Sequence, residues 1–153
     1  MIAQHQLDSY VGKSIGEICQ NGYASPTDDH GAHFVSHVLG YQFGVTCQMM
    51  GNRKGAGATL RVHEMFRRCP SIGVWSLRPS SLHACLVFTL RASSVNLAGR
   101  TMGNAPRKHV GIFQRGFIWH YSNALGRVVK QAPPQFARCH PSPDNAMFYG
   151  SLP

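Results

Sequence analysis

Residues 107–121 constrain the fold more than any other stretch. Arg107-Lys-His-Val-Gly-Ile-Phe113 and Gly116-Phe-Ile-Trp-His-Tyr121 read as two strands joined by a tight turn. Val110, Ile112 and Phe113, then Phe117, Ile118 and Trp119, are the β-branched and aromatic residues that suit a pleated, half-buried surface. Gln114-Arg-Gly116 is short and polar and supplies the glycine that a hairpin turn needs. His109 stands at the head of one strand and His120 near the end of the other, eleven residues on. On antiparallel neighbours that spacing brings the two imidazoles side by side. The plain reading of two strand histidines is that they are core or surface residues without chemistry.

Upstream, residues 28–40 carry a second pattern, Asp28-Asp-His-Gly-Ala-His-Phe-Val-Ser-His-Val-Leu-Gly40. Asp29 is an N-cap candidate and Gly40 a C-terminal stop, which together predict a helix over 29–39. Phe34, Val35, Val38 and Leu39 form one apolar face of it, and His33, Ser36 and His37 the other. That division predicts a buried Phe34 and an exposed His33, at which truncation to Ala stays within roughly ±0.5 kcal/mol.

The His-Val-Gly-Ile-aromatic strand with its spaced His resembles the NlpC-type cell-wall cysteine peptidases, a papain-like superfamily. The resemblance implies that His109 is a base paired with a cysteine thiolate. It implies that His120 orients that imidazole, and that the cysteine opens a buried helix. Registered on Phe34-Val35, the family's Asp-Cys-Ser-Gly-apolar-Val pattern puts the cysteine at position 31, the small residue on Ala32 and the glycine on His33. Position 31 is Gly, and His30 stands where the family often has Asp. Ala84-Cys85 replaces the family's Gly-Asp ahead of the central strand, residues 84–90. The nucleophile is thus missing. Two readings of Gly31 stay open: a natural non-catalytic relative, or a cysteine removed on purpose.

The resemblance is strongest over residues 28–131 and implies an α+β, papain-like domain spanning 1–153. N-terminal helices pack on an antiparallel sheet, with a cleft where helix 29–39 meets strand 108–113. The implied work is cysteine peptidase or amidase hydrolysis of a peptide or amide bond, with bacterial cell-wall peptide as the substrate class. The chain as written is expected to be inactive, because Gly31 has no nucleophile. A cysteine there would lie in the first helical turn, where the dipole and a neighbouring imidazolium lower a thiol pKa from about 8.5 to ~3.5–7.5. The alternatives are a non-catalytic peptide-binding relative and a basic nucleic-acid-binding domain.

Charge bears on the partner. The 153 residues carry 15 Lys and Arg against 6 Asp and Glu, a net +9. Such a surface favours polyanions, an anionic cell wall, or an acidic protein partner or inhibitor. No apolar run reaches membrane-spanning length. The N-terminal residues lack the basic and apolar regions of a secretory signal, which predicts a cytoplasmic protein or one delivered by a signal-independent route.

Metal and cofactor are expected to be absent. Cys19, Cys47, Cys69, Cys85 and Cys139 form no CxxC pair and are expected as buried, reduced thiols. His33 and His37 offer an i, i+4 ligand pair with His30 close by, but no HExxH or nearby cysteine pair completes a site in sequence. These histidines are expected on the solvent or cleft side. Elsewhere the periodicity predicts helices over 7–19 and 60–68, the latter capped by Thr59. A loop is expected over 93–106, a strand over 127–131, a break at Ala132-Pro-Pro134 and an edge strand at Met147-Phe-Tyr149.

Overall fold

A computed structural model describes residues 2–103, 107–139, 141 and 143–153. It is an α+β structure built on a six-stranded, wholly antiparallel sheet. The N-terminal part supplies short helices, α1 (Gln4–Asp8), α2 (Ile15–Ile18), α3 (Gly31–Leu39), α4 (Cys47–Met50) and α5 (Val62–Arg68). The strands follow as β1 (Ile72–Val74), β2 (Ala84–Arg91), the small pair β3 (Val95–Asn96) and β4 (Thr101–Met102), β5 (His109–Gln114), β6 (Phe117–Ser122) and β7 (Arg127–Gln131). Helix α6 (Pro133–Ala137) and strand β8 (Asn145–Gly150) complete the chain. The large sheet runs β1-β8-β2-β5-β6-β7.

The hairpin forms as its residues dictate. Arg115 and Gly116 have φ of 49° and 88°, the paired left-handed conformation of a two-residue turn whose twist matches its strands. Register follows, with Ile112 opposite Trp119 and Phe113 opposite Ile118. Period-2 alternation then sorts the side chains onto two faces. Leu86, Phe88, Val110, Ile112, Trp119 and Tyr121 meet the N-terminal helices in the larger core. Cys85, Val87, Phe113, Ile118 and Tyr149 meet Phe136 of α6 in a smaller one.

Several expectations are corrected. The apolar stripe over 7–19 is not one helix, because Gly12 takes φ 88° and turns the chain. Gly12 N–H donates to the Val128 carbonyl and Val128 N–H to that of Lys13, both at 2.9 Å, so this stretch borders β7. A fresh helix starts where the Ser14 N–H donates to the Glu17 carboxylate at 2.7 Å, half of a capping box. Leu7, Ile15 and Cys19 are buried all the same, while Val11 is 44% exposed. Thr59 does not cap α5, which starts at Val62; its hydroxyl donates to the Phe43 carbonyl at 2.8 Å. The β3–β4 ladder interrupts the expected 93–106 loop, whose residues 104–106 lie outside the described ones. The prolines after β7 open α6, where a missing N–H costs nothing. The C-terminal strand is no edge: β8 lies between β1 and β2. Among the described residues no helix is long and apolar enough to cross a membrane.

Candidate functional site

His109 is the first residue of β5 and His120 the fourth of β6. Their pairing makes them diagonal neighbours, within reach for long side chains. His109 Nε2 lies 2.9 Å from His120 Nδ1, and His120 Nε2 lies 2.6 Å from Gln131 Oε1 on β7. This relay fixes the tautomers. The amide oxygen of Gln131 can only accept, so His120 carries its proton on Nε2 and its lone pair on Nδ1. His109 then donates through Nε2, which makes its Nδ1 the basic nitrogen. Phe136 holds the arrangement, stacked on the His109 ring at a 5.6 Å centroid distance and edge-on to His120 at 4.9 Å.

The basic nitrogen faces position 31. Gly31 is the first residue of α3, and a Cβ built there would lie 2.8 Å from His109 Nδ1 and 3.3 Å from Asp29 Oδ1. Gly31 is not among the positive-φ glycines, so the backbone does not require glycine there. What requires it is the close approach of the imidazole. His109, His120 and Gly31 are all buried. Asp29 lies beside them, its side chain 45% exposed and its Oδ1 4.0 Å from His109 Nδ1. That oxygen accepts from Gly31 N–H at 2.8 Å and from Asn123 Nδ2 at 3.1 Å. Asp29 therefore ties down the first turn of α3 from one residue before the N-cap, which is His30.

An open groove of about 480 Å³ adjoins Asp29 and is lined by Arg61, His63, Arg107 and Lys108. Burial, then the neighbouring Lys108, lowers the His63 pKa, and burial lowers that of Lys108. A separate hollow of about 260 Å³ is lined by Ser14, His30, Tyr121 and Asn123.

The structure overturns the expected placement of the other α3 histidines. His30 and His33 are fully buried, as is Ser36, and His37 is half-buried. Burial, then the neighbouring His37 and His30, pushes the His33 pKa down to about 3, and burial lowers that of His37. His33→Ala is therefore no near-neutral surface change, since it empties a core position. Four of the five cysteines are buried as expected, but Cys139 is exposed, and its thiol donates to Gln131 Oε1 at 3.4 Å. Partial desolvation raises its pKa and so disfavours the thiolate, although it lines one hollow with His109 and His120. Burial also pushes Cys69 and Cys85 up to about 12. In the native protein iodoacetamide should label Cys139 readily and Cys69 and Cys85 only after unfolding, which peptide mapping by mass spectrometry will read. Gln131 was missed in the sequence; a polar residue ending a strand is too common a signal to single it out.

Comparison with family models, with curated proteins and with solved structures found no match to this chain.

Proposed function

We propose that the chain carries the site of an NlpC-type, papain-like cysteine peptidase or amidase with Gly31 at the nucleophile position. As written it recognises a peptide or amide ligand without cleaving it. The observation that carries this reading is the alignment of Gln131, His120, His109 and position 31, with the basic nitrogen of His109 turned toward the first residue of a helix. A hydrolase of this type needs its thiolate where the dipole of a helix N-terminus stabilises an anion, facing an oriented imidazole. The three residues singled out in the sequence, Gly31, His109 and His120, would be nucleophile position, base and orienter, with Gln131 as the last member of the relay. Without a sulfur at position 31 the relay has no proton to accept and no bond to make.

The ligand class follows from the flanking groove. Arg61, Arg107 and Lys108 favour a peptide with free carboxylates, as cell-wall stem peptides have, over a neutral one. In a calorimetric titration at moderate salt, a carboxylate-rich stem peptide should bind and be recovered intact. Lys108→Glu combined with Arg107→Glu should weaken that binding at least tenfold. Absence of peptide binding, together with tight duplex DNA binding that falls steeply with salt, would shift the assignment to a nucleic-acid-binding domain.

A further inference from the structure

Behind the catalytic face of α3 lies a second cluster. Cys19 at the end of α2, His33 and His37 on α3, and Cys47 opening α4 place their four ligand atoms within 4.8 Å of one another. We propose that these four residues bind a structural zinc ion with a two-cysteine, two-histidine set. The zinc site is independent of the functional reading above, because it uses neither Gly31 nor His109.

The distances suit that ion. Tetrahedral zinc with Zn–N of ~2.0–2.1 Å and Zn–S of ~2.3 Å sets its nitrogens about 3.3 Å apart, and nitrogen and sulfur about 3.5 Å apart. His33 Nε2 and His37 Nε2 are 3.2 Å apart, and His37 Nε2 is 3.6 Å from Cys47 Sγ. Two imidazoles and two sulfurs converging on one point select zinc over the oxygen-loving cations. Two thiolates also balance the charge of a divalent ion, as a buried site demands. Binding is then Zn²⁺ + 2 Cys–SH → Zn(Cys–S)₂ + 2 H⁺, with the histidines entering as neutral donors.

The groups around the ligands complete the site. The Ser25 carbonyl can only accept, and it lies 2.7 Å from His30 Nε2, which puts the His30 proton there. His30 Nδ1 is then the acceptor for His33 Nδ1–H, 3.1 Å away. This holds His33 in the tautomer whose Nε2 lone pair points at the cluster, as metal-bound histidines require. Asn21, fully buried, serves both sulfurs: its backbone N–H donates to Cys19 Sγ at 3.4 Å and its side-chain amide to Cys47 Sγ at 3.3 Å. Donors aimed at both sulfurs suit thiolates.

The site also has a structural reason. Helices α1, α2 and α4 have five, four and four residues, too short to hold themselves. Four protein ligands leave no open position, so the ion would staple α2, α3 and α4 together, and do no chemistry. In sequence only the i, i+4 histidines stand out, because the two cysteines come from distant segments.

The test is metal content and spectroscopy on the intact chain. Protein purified under reducing conditions with zinc and then exhaustively dialysed should retain about one zinc per chain by elemental mass spectrometry. Replacing it with Co²⁺ should give the visible bands of a tetrahedral ion and a near-ultraviolet thiolate charge-transfer band. Cys47→Ser should roughly halve the charge-transfer band if it folds. His37→Gln, at a half-buried position, should lower zinc affinity at least tenfold, and Cys139→Ser should change neither reading. Removing zinc with a chelator should lower the melting temperature. A wild-type chain that folds but retains no zinc, an octahedral cobalt spectrum, or a Cys19–Cys47 disulfide in unreduced protein overturns the proposal.

Discussion

Gly31→Cys should create the most reactive thiol in the protein and, with the right amide, an active hydrolase. In catalytic triads, losing the nucleophile lowers kcat by on the order of 10⁶, and under the proposed reading Gly31→Cys has that range to recover. In a Cys139→Ser background, the thiol introduced at position 31 should alkylate with iodoacetamide at pH ~6–7 faster than any native cysteine, because helix dipole and imidazolium favour the thiolate. His109→Ala should remove that acceleration and leave the rate of an unactivated thiol. Crowding is the complication: the new Cβ falls within 2.8 Å of His109 Nδ1 unless the ring withdraws. Gly31→Ala carries the same Cβ without the sulfur, so its stability separates the steric cost from the chemistry. Cleavage of cell-wall peptide by the Gly31→Cys protein would identify a peptidase that lacks only its nucleophile. Fast alkylation without cleavage would favour a binding relative or another amide. A thiol no faster than Cys139 and indifferent to His109 would mean there is no dyad to restore.

Phe34→Ala should cost about 3–5 kcal/mol by chemical denaturation, the usual range for emptying a phenylalanine site in a core. Phe34 is fully buried on α3 and meets Tyr10 edge-on at 5.9 Å. Phe117, 43% exposed, serves as the comparison. The Lys130 ammonium lies 4.8 Å from its ring centroid and the Trp119 ring meets it edge-on at 6.4 Å, so Phe117→Ala should cost no more than about 1 kcal/mol. Equal losses would mean that α3 presents a different face to the sheet.

The parts legible in the sequence were those set by local chemistry. Arg115-Gly116 is a turn signal beside β-branched strands, so the hairpin and the meeting of His109 with His120 followed directly. The reach of α3 was readable from Gly40, which takes φ 76° at its end. Periodicity failed where a neighbouring strand competed with the helix. The stripe over 7–19 satisfies a helical template, but Gly12 and Lys13 hydrogen-bond to Val128 instead. The Ser14-x-x-Glu17 box was there to be read and marked the true start of α2. Polarity alone places His33 on the exposed face; a buried imidazole is tolerable once His30 and Ser25 satisfy it. The position of β8 was not readable, since its partners are chosen by the packing of both sheet faces.

That position has a consequence for biosynthesis. The ribosome delivers β1, β2 and the β5–β7 meander before β8 exists, yet β1 reaches the sheet only through β8, with Val74 opposite Phe148 and Ile72 opposite Gly150. Until residues 145–150 emerge, β2 presents the bare backbone of a hydrophobic strand along the flank that β8 will cover. Such an edge is a template for pairing with other nascent chains. Closing the sheet waits on a contact across most of the strand-bearing sequence, which is slow to find. Until β8 pairs with it, the β2 flank is the part of the growing sheet most open to pairing with another chain.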